Sequence, residues 1–373
     1  MLKIILVANT SWNIYNFRAG LVNFLLTKGY KIYILAPKDA YTEKIQTWNI
    51  EYREIVLENK GTNPLKDLAF HRQLLRIYRQ IQPDVVLHFT IKPNIYGTLA
   101  CQRLKIPCIN NVSGLGTTFL HRNFASRIAH FLYRLAFRYA SKVFFQNAED
   151  RMLFIQKKLI KPEISDLLPG SGVNLEKFAP MPSTTKENFV FLMIARLIYD
   201  KGVREFVEAC KIVKKQYPKA IFRLLGDFED NPKNPLNISP QEVEIWQKEV
   251  EYLGKKADVR PYIAEADVVV LPSYREGTPR SLLEAAAMAK PLIATNVAGC
   301  KEVVRNNENG FLCQVRSAES LAQTMIQMLL LSEKERQQMG ENSRKLVETY
   351  FDEKIVFEKY VLAIQEVLKA KNV

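Results

Sequence analysis

Short runs of β-branched and aromatic residues alternate with amphipathic stretches along the whole chain. KIILVA, from Lys3, is followed by the amphipathic stretch Phe17–Lys28 and then by KIYILA at Lys31–Ala36. DVVLHF (Asp84–Phe89) precedes helical spacing over Ile95–Arg103, and PCINNV (Pro107–Val112) comes next. KVFFQN (Lys142–Asn147) follows a long helical segment. This alternation predicts parallel strands joined by crossover helices, a doubly wound α/β fold. The pattern breaks over Pro169–Asn188, where Gly170, Gly172, Pro180, Pro182 and the polar cluster Ser183–Thr185 suit a linker. A second series follows, with strands at Phe189–Ala195, Ala220–Gly226, Asp267–Ser273 and Pro291–Asn296, and helices at Ala318–Leu331, Glu333–Tyr350 and Glu353–Ala370. The expected organisation is a domain over residues 1–180, a second over 188–350, and a C-terminal helix over 351–373 packing back towards the first. Ligands of open α/β sheets bind beyond the carboxyl ends of the strands, and two such domains facing a cleft suit a reaction that joins two substrates.

Composition adds limits. The chain has 373 residues, 47% hydrophobic and 25% charged, which is ordinary for globular domains. No apolar run approaches the ~20 residues that span a bilayer. The opening MLKIILVANTSW reads as a first strand and not as a signal peptide. Cys101, Cys108, Cys210, Cys300 and Cys313 are scattered without a CxxC pair, which predicts free thiols in a reducing cytoplasm. Charge is distributed unevenly. Residues 1–180 hold 25 Lys and Arg against 12 Asp and Glu, so +13 of the net +14 lies there. A basic first half predicts an anionic partner: a phospholipid surface, a phosphorylated acceptor or nucleic acid.

Two segments carry candidate chemistry. In Ala195-Arg196-Leu197-Ile198-Tyr199-Asp200-Lys201-Gly202, directly after a strand, Arg196 and Lys201 can clamp a diphosphate; the alternative is two solvated basic residues in a loop. In Leu271-Pro272-Ser273-Tyr274-Arg275-Glu276-Gly277-Thr278-Pro279-Arg280-Ser281-Leu282-Leu283-Glu284-Ala285, Gly277 permits close backbone approach and Pro279 suits a helix start. A helix N-terminus favours phosphate. Glu284 falls in an apolar run, and a buried carboxylate requires partners such as sugar hydroxyls. A capping Glu276 and a salt-bridged Glu284 are the plainer alternative.

The combination of Arg196…Lys201-Gly202, the Glu276 and Glu284 spacing, and Gly170-Ser171-Gly172-Val173-Asn174…Phe178 resembles glycosyltransferase family four, over essentially the full length. The resemblance implies the GT-B fold, two Rossmann-like domains facing a central cleft, and transfer of a sugar from a nucleotide with retention of configuration. It implies that Arg196 and Lys201 bind the donor diphosphate, that Glu276 contacts the transferred sugar and that Glu284 contacts the ribose. Gly277 and Thr278 would offer backbone N–H groups. Glu276, Arg196 and Lys201 are the expected catalytic set. Thr278 replaces the family's usual aromatic and Asn174 its usual Asp; neither change removes a donor-binding charge. No DxD element occurs in these motifs, so neither metal nor other cofactor is expected, and a UDP-sugar is the donor the resemblance implies, with a GDP-sugar the alternative.

The first half departs more from the family. Its loop after the first strand is Asn9-Thr10-Ser11-Trp12-Asn13-Ile14-Tyr15-Asn16-Phe17-Arg18, without the usual glycine pair. Arg18, His88, Lys92, Asn111, Ser113 and Gly114 are the candidates for the acceptor site or cleft. For His88, a strand-end histidine without a chemical role is an equal alternative. Together with Asp227…Asp230-Asn231-Pro232, these segments are similar to bacterial transferases that extend undecaprenyl-diphosphate-linked sugars with N-acetylhexosamines, in surface glycan or glycoprotein oligosaccharide assembly. In Phe119–Ala140, Arg127, His130, Arg134 and Arg138 recur at helical spacing among Phe124, Ile128, Phe131, Leu132 and Leu135. That is the pattern of a basic helix lying on an anionic membrane surface, or of a sheet-covering helix whose arginines face water. The expected location is cytoplasmic, peripheral on the inner membrane. A nucleotide-sugar epimerase on the same scaffold is a competing function, although it needs no basic acceptor half. A nucleic-acid-binding protein is another, although no helix-turn-helix, zinc or RNA-recognition signature accompanies the charge. Nothing in the sequence sets an oligomeric state.

Overall fold

The computed structural model describes residues 1–58, 63–115, 124–182, 187–229 and 236–371. The expected polar cluster Ser183–Thr185, the Asp230-Asn231-Pro232 element and Phe119–Asn123 of the basic segment fall outside or largely outside the described residues. The chain forms two units, Met1–Ser171 with Glu353–Val373, and Gly172–Asp352.

The first unit holds a parallel sheet of β1 (Lys3–Val7), β2 (Lys31–Ala36), β3 (Glu51–Glu54), β4 (Val85–Phe89), β5 (Cys108–Val112), β6 (Lys142–Phe145) and β7 (Ser165–Leu167), in the order β3-β2-β1-β4-β5-β6-β7. The second holds β8 (Val190–Ile194), β9 (Ile221–Leu225), β10 (Glu251–Gly254), β11 (Val268–Leu271), β12 (Leu292–Thr295) and β13 (Gly310–Cys313), in the order β10-β9-β8-β11-β12-β13. Both orders run outward in two directions from a central pair, β1 and β4 or β8 and β11. That reversal is the switch point beside which doubly wound sheets bind ligands.

The central strands are apolar because helices cover both sheet faces. Side chains alternate between those faces. Ile4 and Leu6 join the core under the helices Ala19–Thr27 and Glu353–Lys371, while Ile5 and Val7 join the core under Pro64–Ile81. The helix Glu353–Lys371 sits so close to Ala19–Thr27 that a Cβ on Gly20 would come within 2.5 Å of the Phe357 ring.

The division between units falls earlier than residue 180. Val173 and Phe178 are buried in the second unit's core, and the Val173 N–H donates to the Phe351 carbonyl at 2.8 Å. Residues from Gly172 onward therefore belong with the second unit. The helix expected over Ile95–Arg103 begins as a wide π turn, Pro93–Gly97, and continues as Thr98–Leu104. Gly97 is essential to that turn's packing, since a Cβ there would lie 2.2 Å from His88 Nε2. The five cysteines are free and buried.

Candidate functional site

In the second unit the loops leaving β8, β9, β11 and β12 press against one another at backbone distance. A Cβ on Gly226, after β9, would lie 1.8 Å from the Ala195 carbonyl oxygen. Gly202 adopts φ +71°, and a Cβ there would lie 2.1 Å from the Pro272 carbonyl oxygen. The left-handed conformation and the missing volume both call for glycine. The turn Tyr199–Lys201 is then joined to the segment after β11 by two bonds to the Asp200 carbonyl, from Tyr274 N–H at 2.9 Å and from Ser273 Oγ at 3.0 Å. The Thr295 hydroxyl donates to the Ser273 carbonyl. Tyr274 also donates to Glu205 Oε1 at 2.6 Å, and burial with this carboxylate pushes the phenol well up.

A third loop completes the arrangement. Gly299, at φ +85°, leaves room for only hydrogen where a Cβ would meet the Gly277 carbonyl at 2.5 Å. The Glu276 N–H donates to the Ala298 carbonyl at 3.1 Å, and the Gly299 N–H donates to Glu302 Oε2 at 2.7 Å. These contacts bring Lys201 Nζ into an ion pair with Glu276 Oε1, the two side chains being 19% and 12% exposed. A cation and a carboxylate thus share one partly desolvated spot at the switch point, offering a partner for phosphate oxygens beside an acceptor for hydroxyls.

The remaining candidates of this unit lie on the same sheet edge with separate partners. Arg196 reaches Glu229 Oε2 at 2.8 Å, and its side chain is 59% exposed. Gly277 is buried and Thr278 half-buried, just ahead of the helix Arg280–Ala287, whose N-cap is Pro279. Glu284 lies within that helix among the buried Leu282, Leu283, Ala285, Ala286 and Ala287. Arg280 Nε donates to Glu284 Oε1 at 2.7 Å. Burial nevertheless raises the Glu284 carboxyl above its ordinary value, with Arg280 pulling the other way. Arg280 was not among the expected site residues, although its position four residues before Glu284 is the spacing at which helical side chains meet. Gly299 and Glu229 carry no motif and were also not anticipated.

Both halves of the chain match known protein families. Residues 176–346 match the model of glycosyl transferases group 1, and residues 3–147 match glycosyl transferase 4-like proteins. The chain belongs to this glycosyltransferase family. It is 29% identical to the N,N'-diacetylbacillosaminyl-diphospho-undecaprenol α-1,3-N-acetylgalactosaminyltransferase of Campylobacter jejuni, across 99% of this chain and 100% of that protein. It is 27% identical to the Escherichia coli UDP-Gal:α-D-GlcNAc-diphosphoundecaprenol α-1,3-galactosyltransferase, over 71% of each chain. Among solved structures, a glycosyltransferase of Rickettsia africae superposes with a TM-score of 0.79 at 19% identity, covering 99% of both chains. Anabaena HepE in complex with UDP and glucose superposes with a TM-score of 0.77 at 19% identity, covering 98% of this chain and 100% of that one. The fold is GT-B.

In this glycosyltransferase the first-unit candidates divide. Arg18 and Asn111 come together around Tyr360: Asn111 Nδ2 donates to its hydroxyl at 2.7 Å, and the phenol, raised by burial, is pulled back by the Arg18 charge. Lys92 is ion-paired with Asp67 at 2.7 Å, and Tyr96 OH donates to the same carboxylate at 2.9 Å. Ser113 is exposed and Gly114 half-buried in the segment after β5. His88 does not line a surface. It has no exposed area, accepts from Tyr78 OH at 2.9 Å through Nε2 and meets Asn110 Oδ1 at 3.0 Å through Nδ1. A ring protonated on Nδ1 satisfies both neighbours, so both nitrogens are committed and His88 fits the interior role left open by the sequence.

Glu284 generates a pH prediction. A raised folded-state carboxyl pKa means no penalty below the ordinary value of 4.5 and a growing penalty as pH climbs through the raised value. The Glu284→Gln protein is therefore expected to match the wild type in thermal melts at acidic pH and to gain on it towards neutrality. A wild type that gains on the variant over that range would show that the Arg280 pair outweighs burial.

Proposed function

We propose that this enzyme moves a sugar, an N-acetylhexosamine, from a UDP-sugar to a polyprenyl-diphosphate-linked saccharide with retention of configuration, during bacterial glycan assembly. The observation that carries this reading is the Lys201–Glu276 pair held at the second unit's switch point. In the proposed complex, Lys201 and Arg196 meet the donor diphosphate, Glu276 turns to the transferred sugar and Glu284 to the ribose. When the bond from anomeric carbon to diphosphate breaks, charge develops on the departing UDP. Preorganised cations in a partly desolvated site stabilise such charge, so these side chains take the place of a metal. The Campylobacter relative's name, an N-acetylgalactosaminyl donor and an undecaprenyl-diphosphate acceptor, supports the choice of substrates, as does the UDP bound in Anabaena HepE.

The acceptor's lipid places the reaction at a membrane surface, and we propose an anionic one, the cytoplasmic face of the inner membrane. Among the described residues no helix is long and apolar enough to cross a membrane. Charge and side-chain exposure in the first unit support peripheral contact. No Asp or Glu occurs from Val85 to Ala148, whereas this stretch holds eight Lys and Arg. On the helix Phe124–Phe137, Arg127, Phe131 and Arg134 are exposed, and Arg138 continues the same stripe just beyond it. Phe131 is 66% exposed between these arginines. Lys157 and Lys158 add further exposed cations, and Arg134 bonds to the Lys157 carbonyl at 3.0 Å. An aromatic ring set among cations suits the headgroup boundary better than bulk water.

Two measurements test this function. Transfer of labelled sugar from a panel of UDP- and GDP-sugars to polyprenyl diphosphate carrying one N-acetylhexosamine should succeed with a UDP-N-acetylhexosamine and persist in EDTA. It should fall by about 100- to 1,000-fold in Lys201→Ala, as when one transition-state donor is removed; full turnover in that variant would refute the assigned role. In vesicle sedimentation, the enzyme should bind phosphatidylglycerol-containing membranes and not pure phosphatidylcholine. Replacing Arg127, Arg134 and Arg138 by Gln should weaken that binding roughly 100-fold, at about 1 kcal/mol per charge, and leave UDP binding intact. Equal loss of both would contradict the docking face.

A further inference from the structure

A cluster of uncharged polar ends occupies the switch point of the first unit's sheet, outside the donor-binding machinery. Asn9 Oδ1, Asn13 Oδ1, Thr90 Oγ1 and Asn111 Oδ1 are each shielded from solvent and have no hydrogen-bond partner. Strand register explains why they are neighbours. Val7 pairs with His88, which sets Asn9 beside Thr90 just beyond the ends of β1 and β4. Phe89 pairs with Asn111, which sets Asn111 on the adjoining strand, about 4.8 Å away. Asn13 lies in the first turn of the helix Ser11–Phe17 that leaves the same loop.

Two separate features point to a ligand here. The first is the unmet hydrogen bonding, since a buried polar group without a partner bears its full desolvation penalty. Asn111 is the clearest case: it is 1% exposed, its side-chain Nδ2 is held by Tyr360, and its main-chain carbonyl accepts from Asn94 Nδ2 at 2.8 Å, which leaves only Oδ1 unmet. The second is backbone strain. Thr90 has φ +73°, an outlying conformation for a β-branched residue and one that concentrates at functional sites. Asn9, Asn13 and Thr90 are themselves half-buried, so the cluster lies close to the surface.

The chemistry of the cluster selects the ligand. An amide end or a hydroxyl pairs well with a sugar hydroxyl or an acetamido group, which both donate and accept. Phosphate oxygens only accept and are best met by cations. The two cations nearest in the chain are committed elsewhere: Arg18 lies over the Phe89 ring at 4.3 Å and donates to the Phe17 carbonyl, and Lys92 pairs with Asp67. We infer that Asn9, Asn13, Thr90 and Asn111 form a carbohydrate subsite that reads the neutral hydroxyl or acetamido groups of the acceptor saccharide, and that the diphosphate is held elsewhere. This rests on the proposed lipid-linked saccharide acceptor.

The test separates sugar recognition from lipid-diphosphate recognition. Asn9→Ala and Thr90→Val are assayed with polyprenyl diphosphate carrying one N-acetylhexosamine as varied acceptor, and with saccharide-free polyprenyl diphosphate as competitive inhibitor. Each variant should raise the acceptor KM about 10-fold, the loss of roughly one hydrogen bond, while the inhibition constant of the saccharide-free lipid and the donor KM stay unchanged. Thr90→Ser should restore the wild-type KM. The unchanged inhibition constant also reports that the first unit is folded. An unchanged acceptor KM, or an equal rise in KM and inhibition constant, overturns the inference. A wild type that transfers nothing to this acceptor overturns the acceptor reading itself, and the subsite with it.

Discussion

The second unit is organised by backbone-to-backbone contact among strand-end loops. At Gly202, Gly226 and Gly299 the facing carbonyl stands where a Cβ would be, between 1.8 and 2.5 Å away. Any side chain would hold these loops apart, and Lys201 and Glu276 could not meet. Because the contacts are to main-chain atoms, which cannot rotate out of the way, the geometry is fixed before any ligand arrives. Preorganisation of this kind is what makes charged groups effective catalysts, since no reorientation is needed as charge develops.

Burial gives those charges their character. Lys201 and Glu276 offset one another's charge in a partly desolvated setting without a ligand. Glu284 is balanced differently: its apolar helix face disfavours ionisation, and Arg280 only partly compensates. The first unit shows the opposite treatment of polarity. His88, Tyr78, Asn110 and Thr98 form a closed hydrogen-bonded group inside the domain, whereas the nearby ends of Asn9, Thr90 and Asn111 remain open. That inner group is satisfied and these ends are not, which is how a rigid scaffold and a binding surface differ.

Much of this was legible in the sequence, for identifiable reasons. Central strands such as KIILV and VVVL are buried on both faces, so their apolar runs stand out. The edge strands EYRE, SDL and EYLG are short and, with only one neighbour each, incompletely buried, so no apolar run marks them. The candidate loops were visible because Arg196, Lys201, Glu276 and Glu284 are charges at strand ends and in an apolar helix. Gly299 was not, since its importance comes from a loop distant in sequence that happens to pass against Gly277. Pro180 and Pro182 suggest a linker, whereas the burial of Val173 and Phe178, which sets the boundary earlier, depends on tertiary packing. His88 could not be decided from its position alone; the absence of a side chain at Gly97, which admits the ring, is a tertiary fact.

In the proposed reaction Lys201 serves the diphosphate and Glu276 serves the sugar from one preformed pair. Calorimetric titration of UDP and of a UDP-N-acetylhexosamine into wild type, Lys201→Met and Glu276→Gln addresses it directly. The account predicts that Lys201→Met weakens both ligands, whereas Glu276→Gln weakens the nucleotide sugar and leaves UDP binding close to wild type. Equal effects of Glu276→Gln on the two ligands, or none on either, would contradict it.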